Sequence, residues 1–241
     1  RLARICRFPV LTYGLHGNQN ISAQRLRMSP RGSEYMLHLR SAIYPMKIHL
    51  IGTYNVYNAL AAAGAALQMG ISHQTIITGL QELRGVPGRM EKVPVDKPYT
   101  VIVDYAHTND ALHNVLQTLS ALKHRRLYTV FGCGGNRDRK KRPLMGRIAA
   151  NLSTHAFITL DNPREEDPEH IMRDIVTGIT RVGRKNFSVI YDRREAIEKA
   201  LHAARKDDIV LIAGKGHEQY QVIGTKTIPF DDKKTVMDIA G

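Results

Sequence analysis

The residues best suited to chemistry lie in the stretch from Asp161 to Arg164, which reads Asp-Asn-Pro-Arg. An apolar run over residues 156–160 precedes this stretch and predicts a buried strand, and a helical pattern begins near Pro168. Open α/β sheets bind their ligands at loops of this kind. One carboxylate and one guanidinium, with Pro163 restricting the backbone between them, suit a zwitterion such as an amino acid. The alternative is a polar loop whose Asp161 caps the next helix.

Polar sequences follow three other predicted strands in the same way. They are residues 104–110 after strand 100–104, residues 132–138 after strand 127–131 and residues 214–218 after strand 209–213. Further patterns predict strands over 155–160 and 187–191 and helices over 109–122, 143–152, 168–181 and 193–205. This alternation of strands and helices predicts an α/β fold with a doubly wound, mostly parallel sheet. Because the carboxyl ends of parallel strands meet at one edge, we expect the four polar loops to form one site.

Two of these loops resemble nucleotide-binding motifs without matching them. Gly132-x-Gly134-x-x-Arg137 places an arginine where the dinucleotide fingerprint has its third glycine, so we interpret Arg137 as a clamp for a carboxylate or phosphate. Gly214-Lys215 lacks the Ser or Thr and the upstream glycine of a P-loop. Neither a dehydrogenase nor a self-sufficient P-loop ATPase follows from these loops.

Composition excludes several classes of protein. Hydrophobic residues make up 43% of the 241 residues and charged residues 24%, which is ordinary for a soluble globular chain. No apolar run reaches the roughly 20 residues of a membrane span, and no signal peptide opens the sequence. Cys6 and Cys133 are too few for a disulfide framework or a zinc site, which favours the reducing cytoplasm.

The formal net charge of +13 raises the question of nucleic-acid binding. The basic residues are dispersed, aromatic residues make up only 6%, and no DNA- or RNA-recognition motif is present. We therefore expect no nucleic-acid partner, since an enzyme for polyanionic small molecules explains the charge equally well. Residues 137–142 form the one dense basic run, and we expect residues 139–142 to be a solvated face.

The amino-terminal third has a different pattern. Strand candidates over 8–13, 20–28, 34–40 and 46–51 suggest a small antiparallel sheet, followed by an Ala-rich helix to Met69 and a helix from Ser72 to Leu83. The breaker cluster Gly85–Arg89 is the predicted domain boundary. At the other end, a hairpin over 220–230 precedes a short helix that Asp231 or Asp232 would cap.

A series of ordered motifs resembles the Mur ligases, in particular the members that add meso-diaminopimelate. The motifs are Gly52-Thr-Tyr-Asn55-x-x-Asn58-Ala-Leu-Ala-Ala, Gly85-Val-Pro-Gly-Arg89-Met-Glu91, Asp104-Tyr-Ala-His107-Thr, Phe131-Gly-Cys-Gly-Gly-x-Arg137-Asp, Asp161-Asn-Pro-Arg164 and Ala213-Gly-Lys-Gly-His-Glu218. The resemblance runs from about residue 50 to the end and covers the carboxyl-terminal half of the family. It implies that residues 1–88 are the tail of a central ATPase domain and that residues 89–241 are a Rossmann-like ligase domain.

The resemblance implies an ATP-dependent ligation in peptidoglycan precursor synthesis. ATP would activate the D-Glu side chain of UDP-MurNAc-L-Ala-D-Glu as an acyl phosphate, which the amine of meso-diaminopimelate attacks. The P-loop, the Mg²⁺ ligands and the modified lysine of the family are expected before residue 1, which is Arg and not Met. We therefore expect this chain alone to be inactive and the whole protein to be a cytoplasmic monomer.

The same resemblance assigns roles to individual positions. It implies contacts with meso-diaminopimelate for Arg137, Asp161, Asn162, Pro163, Arg164, Gly214 and Glu218, and contacts around ATP for Asn55, Asn58, Arg89, Asp104 and His107. It implies no metal ligand and no catalytic residue in this chain. Each ATP-site residue also has a purely structural interpretation, because Asn and Asp commonly cap helices and an Arg commonly joins an ion pair. Asn109 stands where family members commonly have Pro.

Two other functions remain open. A folylpolyglutamate synthetase-like ligase would share the architecture and an Asp-x-Ala-His motif but has no use for Asp-Asn-Pro-Arg. A stand-alone amino-acid-binding module is the non-enzymatic alternative, since the sequence contains no P-loop.

Overall fold

The computed structural model describes residues 5–241. The chain forms two compact units, one ending at Gly85 and the other running from Val86 to Gly241. Within the described residues, no helix has the length and apolar character that crossing a membrane requires.

The first unit is a four-stranded sheet covered by two helices. Its elements are β1 (Tyr13–Gly14), β2 (Ile21–Ser29), β3 (Gly32–Leu39), β4 (Ala42–Ile48), α1 (Thr53–Gln68) and α2 (His73–Glu82), with strands in the order β1-β2-β3-β4. Alternate residues of β3, such as Tyr35 and Leu37, point into a core shared with Val56 and Leu60 of α1. Ser72 caps α2 as expected, because its side chain accepts a hydrogen bond from the Thr75 amide.

The strand predicted over residues 8–13 is wrong for most of its length. Only Tyr13 and Gly14 form a strand, and β1 pairs with β2 in parallel, so the sheet is not wholly antiparallel. Pro9 has no amide hydrogen for a ladder, and the Thr12 amide donates to the Asn20 side chain. Strand β4 begins earlier than predicted and contains Pro45, which an edge strand tolerates.

The second unit has the predicted alternation of strands and helices. Its elements are β5 (Glu91–Val93), β6 (Thr100–Asp104), α3 (Asn109–Ser120), β7 (Leu127–Phe131), α4 (Lys141–Leu152), β8 (His155–Ile158), α5 (Pro168–Thr180), β9 (Phe187–Val189), α6 (Arg193–Ala203), β10 (Ile209–Ala213), β11 (Tyr220–Ile223), β12 (Lys226–Pro229) and α7 (Asp232–Ala240). The main sheet has the order β5-β6-β10-β7-β8-β9. All neighbours pair in parallel except β5, which runs antiparallel to β6.

Helices cover both faces of this sheet, which confirms the doubly wound α/β prediction. Val101 and Val103 of β6 pack with Ile197 of α6 and Val236 of α7 on one face. Helices α3, α4 and α5 pack side by side and cover the other face. The central strands β7 and β10 are buried along their whole length, as strands between two helical layers must be.

The predicted and observed elements differ mainly at their ends. Strand β5 was not predicted, since three residues carry too little pattern, and β8 and β9 end two residues before the predicted limits. The hairpin of β11 and β12 is present, and Asp231, not Asp232, caps α7 by accepting from the Lys234 amide.

A buried ion pair joins the helices on one face to the ends of two strands. The guanidinium of Arg193 and the carboxylate of Asp232 are fully buried and share two hydrogen bonds of 2.8 Å. Arg193 also donates to the carbonyl oxygens of Leu160 at 3.4 Å and Ala213 at 3.1 Å. These two carbonyls immediately precede the loops that begin at Asp161 and Gly214.

We expect Arg193→Met to lower the free energy of unfolding by about 3–5 kcal/mol, because it leaves the Asp232 carboxylate buried without its partner. Urea unfolding followed by circular dichroism measures this change. Arg194→Met is the matched control, since the Arg194 side chain is 53% exposed and lies 4.0 Å from Asp238. The control should change the free energy by less than about 0.5 kcal/mol. Equal effects of the two substitutions would show that the buried pair does not support this region.

Candidate functional site

A cavity of about 590 Å³ opens at the carboxyl-end edge of the main sheet. The loops after β6, β7, β8 and β10 all contribute to its wall, as the parallel arrangement predicts. The lining residues are Tyr105, His107, Thr108, Asn109, Gly134, Arg137, Asp138, Lys141, Asp161, Asn162, Arg164, Gly214, Glu218 and Tyr220.

This cavity collects most of the residues singled out as contacts for a zwitterionic ligand. Arg137, Asp161, Asn162, Arg164, Gly214 and Glu218 line it together. Pro163 is buried, lies between Asn162 and Arg164 in the sequence and restricts the backbone of the loop. From the group singled out around ATP, His107 also lines the cavity, whereas Arg89 and Asp104 do not. Asn55 and Asn58 belong to the other unit.

The loop after β8 is held by its own amide side chain. Asn162 Oδ1 accepts from the Val222 amide at 3.0 Å, and its Nδ2 donates to Glu218 Oε2 at 3.1 Å. Asp161 does not cap the next helix, because Asp167 caps α5 by accepting from the Glu169 amide. The Asp161 carboxylate is therefore left to face Gly214 and Lys215.

Two glycines let the loop after β7 approach the loop after β8. A side chain at Gly135 would collide with the Pro163 carbonyl, since its Cβ would lie 1.8 Å from that oxygen. A Cβ at Gly132 would lie 2.3 Å from the Thr159 carbonyl oxygen. The Gly135 amide instead donates to the Asn162 carbonyl at 2.9 Å. The glycine pattern of this loop thus serves close packing between two loops.

Two guanidiniums line the cavity, and they differ in how many protein groups hold them in place. Arg137 is exposed and has no hydrogen-bond or ion-pair partner among the described residues. Arg164 is held more firmly, because its Nη1 donates to the carbonyls of Gly135 at 3.0 Å and Asn162 at 3.3 Å. The backbone of Arg164 has a φ of 54°, which is a left-handed conformation. Arg164 also forms an isolated β-bridge with Ile223. An arginine free to form a bidentate pair is a ready partner for a carboxylate.

A buried lysine stands between the carboxylates of the cavity. Lys215 Nζ lies 3.3 Å from Glu218 Oε2, 3.7 Å from Asp161 Oδ1 and 3.1 Å from Asn162 Oδ1, and its side chain is fully buried. The Tyr105 hydroxyl donates to the other oxygen of Glu218 at 3.5 Å. Carboxylates from two separate strand ends are in this way held together by one cation.

The expectation that residues 139–142 form a solvated face is wrong for Arg142. Its guanidinium is fully buried and bonds both oxygens of Glu166 at 2.6 and 2.7 Å, Asp174 at 2.9 Å and the Gly134 carbonyl at 3.2 Å. Glu166 in turn accepts from the Asn136 amide at 2.8 Å. The pair fixes the glycine loop that carries Arg137, because a buried charge must find partners.

The loop after β6 is organised by Asp104. Its carboxylate is buried and accepts from the amides of Met90 at 2.7 Å and Ala106 at 2.8 Å. Burial raises the pKa of Asp104, and those amides and the charge of Arg89 oppose the rise. The capping role considered for Asp104 belongs to Thr108, which accepts from the Ala111 amide at the start of α3.

Arg89 and His107 flank the Tyr105 ring. The Arg89 guanidinium carbon lies 4.9 Å from the ring centroid, within the range of a cation–π contact. His107 Nδ1 lies 2.8 Å from the Tyr105 carbonyl oxygen, which can only accept, so Nδ1 carries a proton. The other ring nitrogen then remains available as an acceptor when the imidazole is neutral.

In the first unit, Asn55 is not a helix cap. It is buried within the first turn of α1, and its side chain donates to the Ile51 carbonyl at 2.8 Å. Asn58 is exposed, and its Nδ2 lies 3.5 Å from Asn55 Oδ1. The two amides therefore form one polar patch at the start of this helix.

Several residues at or behind the cavity wall were missed in the sequence. Lys215, which is buried behind the wall, was discounted with the P-loop comparison. Tyr105, Asp138, Lys141 and Tyr220 line the cavity and were not singled out for the site. Tyr105, Asp138 and Lys215 lie in polar loops after strands, so position alone could have indicated them, whereas Lys141 is the first residue of α4. Lys141 is anchored by a hydrogen bond of 2.6 Å to the His107 carbonyl.

The cavity is suited to binding and charge stabilisation, with no activated nucleophile in view. Burial raises the pKa of the nearby Cys133 thiol to about 12, so the thiol is not a nucleophile near neutral pH. Among residues 5–241, no three or more His, Cys, Asp and Glu side chains are grouped to hold a metal ion. A ligand with carboxylates and ammonium groups would find partners of both signs here.

Comparison with protein-family models identifies two segments. The model of the Mur ligase glutamate ligase domain matches residues 88–216, which is more than half of the chain. The model of the Mur ligase middle domain matches residues 3–66.

Comparison with characterised proteins finds relatives of the same kind. The UDP-N-acetylmuramoyl-L-alanyl-D-glutamate–2,6-diaminopimelate ligase of Syntrophomonas wolfei is 46% identical over 231 residues, covering 96% of this chain and 47% of the relative. A solved structure of a ligase with that name has 41% identity and a TM-score of 0.69, covering 95% of this chain and 47% of its own. The folylpolyglutamate synthase of Mycobacterium tuberculosis shares the fold, with 21% identity, a TM-score of 0.64 and coverage of 82% of this chain and 46% of its own. The chain spans about half the length of these relatives.

Because Arg142 pairs with Glu166, the free energy of unfolding should depend on pH in the acid range. Hydrogen bonds from Arg142 lower the pKa of Glu166 from its ordinary 4.5 to about 2. Because the folded-state pKa is the lower one, this carboxylate stabilises the fold fully above about pH 4.5, and the stabilisation disappears as the pH falls toward about 2.

We therefore expect Glu166→Gln to cost about 1–2 kcal/mol of unfolding free energy near neutral pH. The difference from the wild-type chain should shrink as the pH falls below about 4.5 and should approach zero below about pH 2. Urea unfolding across this pH range measures both. Glu165→Gln, at the exposed neighbouring position, is the matched control and should show no such convergence. A pH-independent difference for Glu166→Gln would contradict the assignment.

Proposed function

The chain belongs to the Mur ligase family, since the family's ligase-domain model matches more than half of it, and on that basis we propose its reaction. The protein that contains this chain adds meso-diaminopimelate to UDP-N-acetylmuramoyl-L-alanyl-D-glutamate at the expense of ATP. The product is a peptidoglycan precursor. The relatives that match nearly the whole chain carry the name of this ligase, which supports the proposal.

The single observation that carries the proposal is the charge pattern of the cavity. Arg137 and Arg164 line the same cavity as Asp161 and Glu218. Meso-diaminopimelate has two carboxylates and two amines, so it needs cations and anions together. A cavity lined by one sign of charge would suit a simple anion or cation better.

The proposed contacts follow from the charge of each side chain and from the partners it already has. The unpaired Arg137 guanidinium and the open edge of Arg164 are proposed to bind carboxylates, and Asp161 and Glu218 to bind an ammonium group. Asn162 and Pro163 are proposed to set the loop, because the Asn162 amide is already engaged by Glu218 and Val222. Gly214 leaves room beside Asp161 Oδ2, which would lie 2.9 Å from a Cβ at that position.

The proposed contacts with ATP are made separately by the two units. In the unit from Val86 onward, Arg89 and His107 present a cation and a ring nitrogen to a phosphate or ribose, and Asp104 fixes the loop between them. In the first unit, Asn55 and Asn58 offer amide groups to an adenine base. Mg²⁺ would be held by residues outside this chain, where it would neutralise phosphate charge.

The residues of this chain contribute positioning and charge stabilisation. A guanidinium pair that fixes the carboxylates of the amino acid would hold its amine in one orientation for attack. Lys141, which faces the cavity beside His107, adds positive charge where a phosphorylated carboxylate would be received. His107, whose Nδ1 contacts the Tyr105 carbonyl oxygen, would orient a phosphate or its own loop.

The remaining expectations form part of the same proposal. Residues 1–88 would complete a central ATPase domain, and residues 89–241 would form the ligase domain that binds the amino acid. The protein would act as a cytoplasmic monomer on small molecules.

A folylpolyglutamate synthetase activity is the alternative with structural support, since such an enzyme shares the fold. It is less well supported because glutamate carries one amine and so offers no second ammonium group to the carboxylates of the cavity. Such an enzyme also has no use for the Asp-Asn-Pro-Arg sequence at residues 161–164. A stand-alone binding module would bind the amino acid without any dependence on ATP.

The proposal is tested by phosphate release from ATP by the intact protein with Mg²⁺ and the UDP-linked dipeptide. Release that depends on meso-diaminopimelate and is much slower with lysine or glutamate supports the proposal. Release driven by glutamate and a folate, or binding without phosphate release, would support one of the alternatives. The 241-residue chain alone should release no phosphate, because its sequence contains no P-loop.

Arg164 should set the preference for a distal carboxylate. We expect Arg164→Ala to raise the KM for meso-diaminopimelate by about 10–100-fold, the loss of a charge-assisted hydrogen bond, and to leave the KM for ATP nearly unchanged. Steady-state kinetics of the intact protein measures both constants. Arg147→Ala, at an exposed position of α4, is the matched control. Undiminished use of meso-diaminopimelate by Arg164→Ala would reject this role.

A further inference from the structure

Lys215 does not line the cavity, yet the side chains it contacts do. Its Nζ reaches Asp161, Asn162 and Glu218 at 3.1–3.7 Å and lies 5.6 Å from the Tyr220 ring centroid. All four of these residues line the cavity, whereas the Lys215 side chain is fully buried behind them. The lysine can therefore affect a bound ligand only through its neighbours.

We propose that Lys215 is a positioning residue that holds the Asp161 and Glu218 carboxylates as a receptor for one ammonium group of the amino acid. This inference rests on the proposed function, since it takes the ligand to be an amino acid. Two carboxylates and one lysine ammonium leave a net charge of −1, which is equal and opposite to one ligand ammonium.

The topology of the sheet explains why such a residue is needed. Asp161 follows β8 and Glu218 follows β10, and strand β7 lies between these strands in the sheet. A backbone bridge between Arg164 and Ile223 brings the two loops together, but the like charges of the two carboxylates repel each other unless a cation lies between them. Lys215 bonds the Asn162 amide as well, so it ties the loop after β10 to the loop after β8.

A purely structural lysine is the competing interpretation, and stability alone does not separate the two. Removing one member of a buried ion cluster is destabilising whether or not the cluster serves a ligand. A positioning role predicts a selective loss of affinity for the amino acid. A structural role predicts loss of every activity in parallel with loss of folded protein.

The test compares Lys215→Met and Lys215→Gln with the intact wild-type protein. We expect Lys215→Met to raise the KM for meso-diaminopimelate by about 10–100-fold, with kcat and the KM for ATP changed by less than about threefold. Lys215→Gln keeps a hydrogen-bond donor and should show a smaller rise. Lys199→Met removes an exposed lysine paired with Glu195 and should change none of these constants.

A double-mutant cycle shows whether Lys215 acts through its carboxylate partner. If it does, Lys215→Met combined with Glu218→Gln should raise the KM by at least about tenfold less than the product of the two single effects. Fully multiplicative effects would overturn the proposal. So would an unchanged KM in the active variants, or unfolding of both lysine variants in thermal melts.

The result with the wild-type protein distinguishes failure of this inference from failure of the proposed function. Absence of phosphate release dependent on meso-diaminopimelate in the wild-type protein rejects the proposed function, and the positioning role falls with it. Normal wild-type activity with an unaltered KM in the Lys215 variants rejects the positioning role alone.

Discussion

The cavity of the larger unit depends on a fully buried ion pair that lies below it. Arg193 bonds the Asp232 carboxylate through two nitrogen atoms and also reaches the carbonyls of Leu160 and Ala213. A guanidinium has five donors in a fixed planar arrangement, so one side chain can hold two helices and two strand ends at once. The loops that carry Asp161 and Gly214 begin from positions that this pair has already fixed.

Buried cations with several protein partners also occur elsewhere around the cavity. Arg142 and Lys215 are also fully buried cations, and each joins loops that lie far apart in the sequence. Polar loops at a sheet edge are ordinarily mobile, because water satisfies their backbone and side chains as well as the protein does. A buried cation removes that freedom, since its own charge is stable only with its partners in place. Gly132 and Gly135 allow the approach that these bonds require.

Paired and unpaired charges have different roles within this unit. The cations behind the wall are paired with protein carboxylates, whereas Arg137 at the cavity surface has no partner among the described residues. A site arranged in this way recognises a ligand by its charge pattern and needs little reorganisation to bind it. The chain spans about half the length of its relatives, so the proposed division assigns amino-acid recognition to this unit and phosphate activation largely to residues elsewhere.

Sequence alone determined the alternation of strands and helices and placed Asp161, Arg164 and Glu218 at strand ends, because hydrophobic periodicity and breakers are local signals. The sequence left open whether Asp161 caps α5 or belongs to a functional loop. In the structure, Asp167 caps α5. Only the tertiary structure inserted β10 between β6 and β7 and buried Arg142 and Lys215. The carboxylate partners of Arg142 lie 24 and 32 residues away, so no local pattern could reveal which cation of a basic run turns inward. Such pairing is decided by which loops packing brings together, and that information is distributed over the whole sheet.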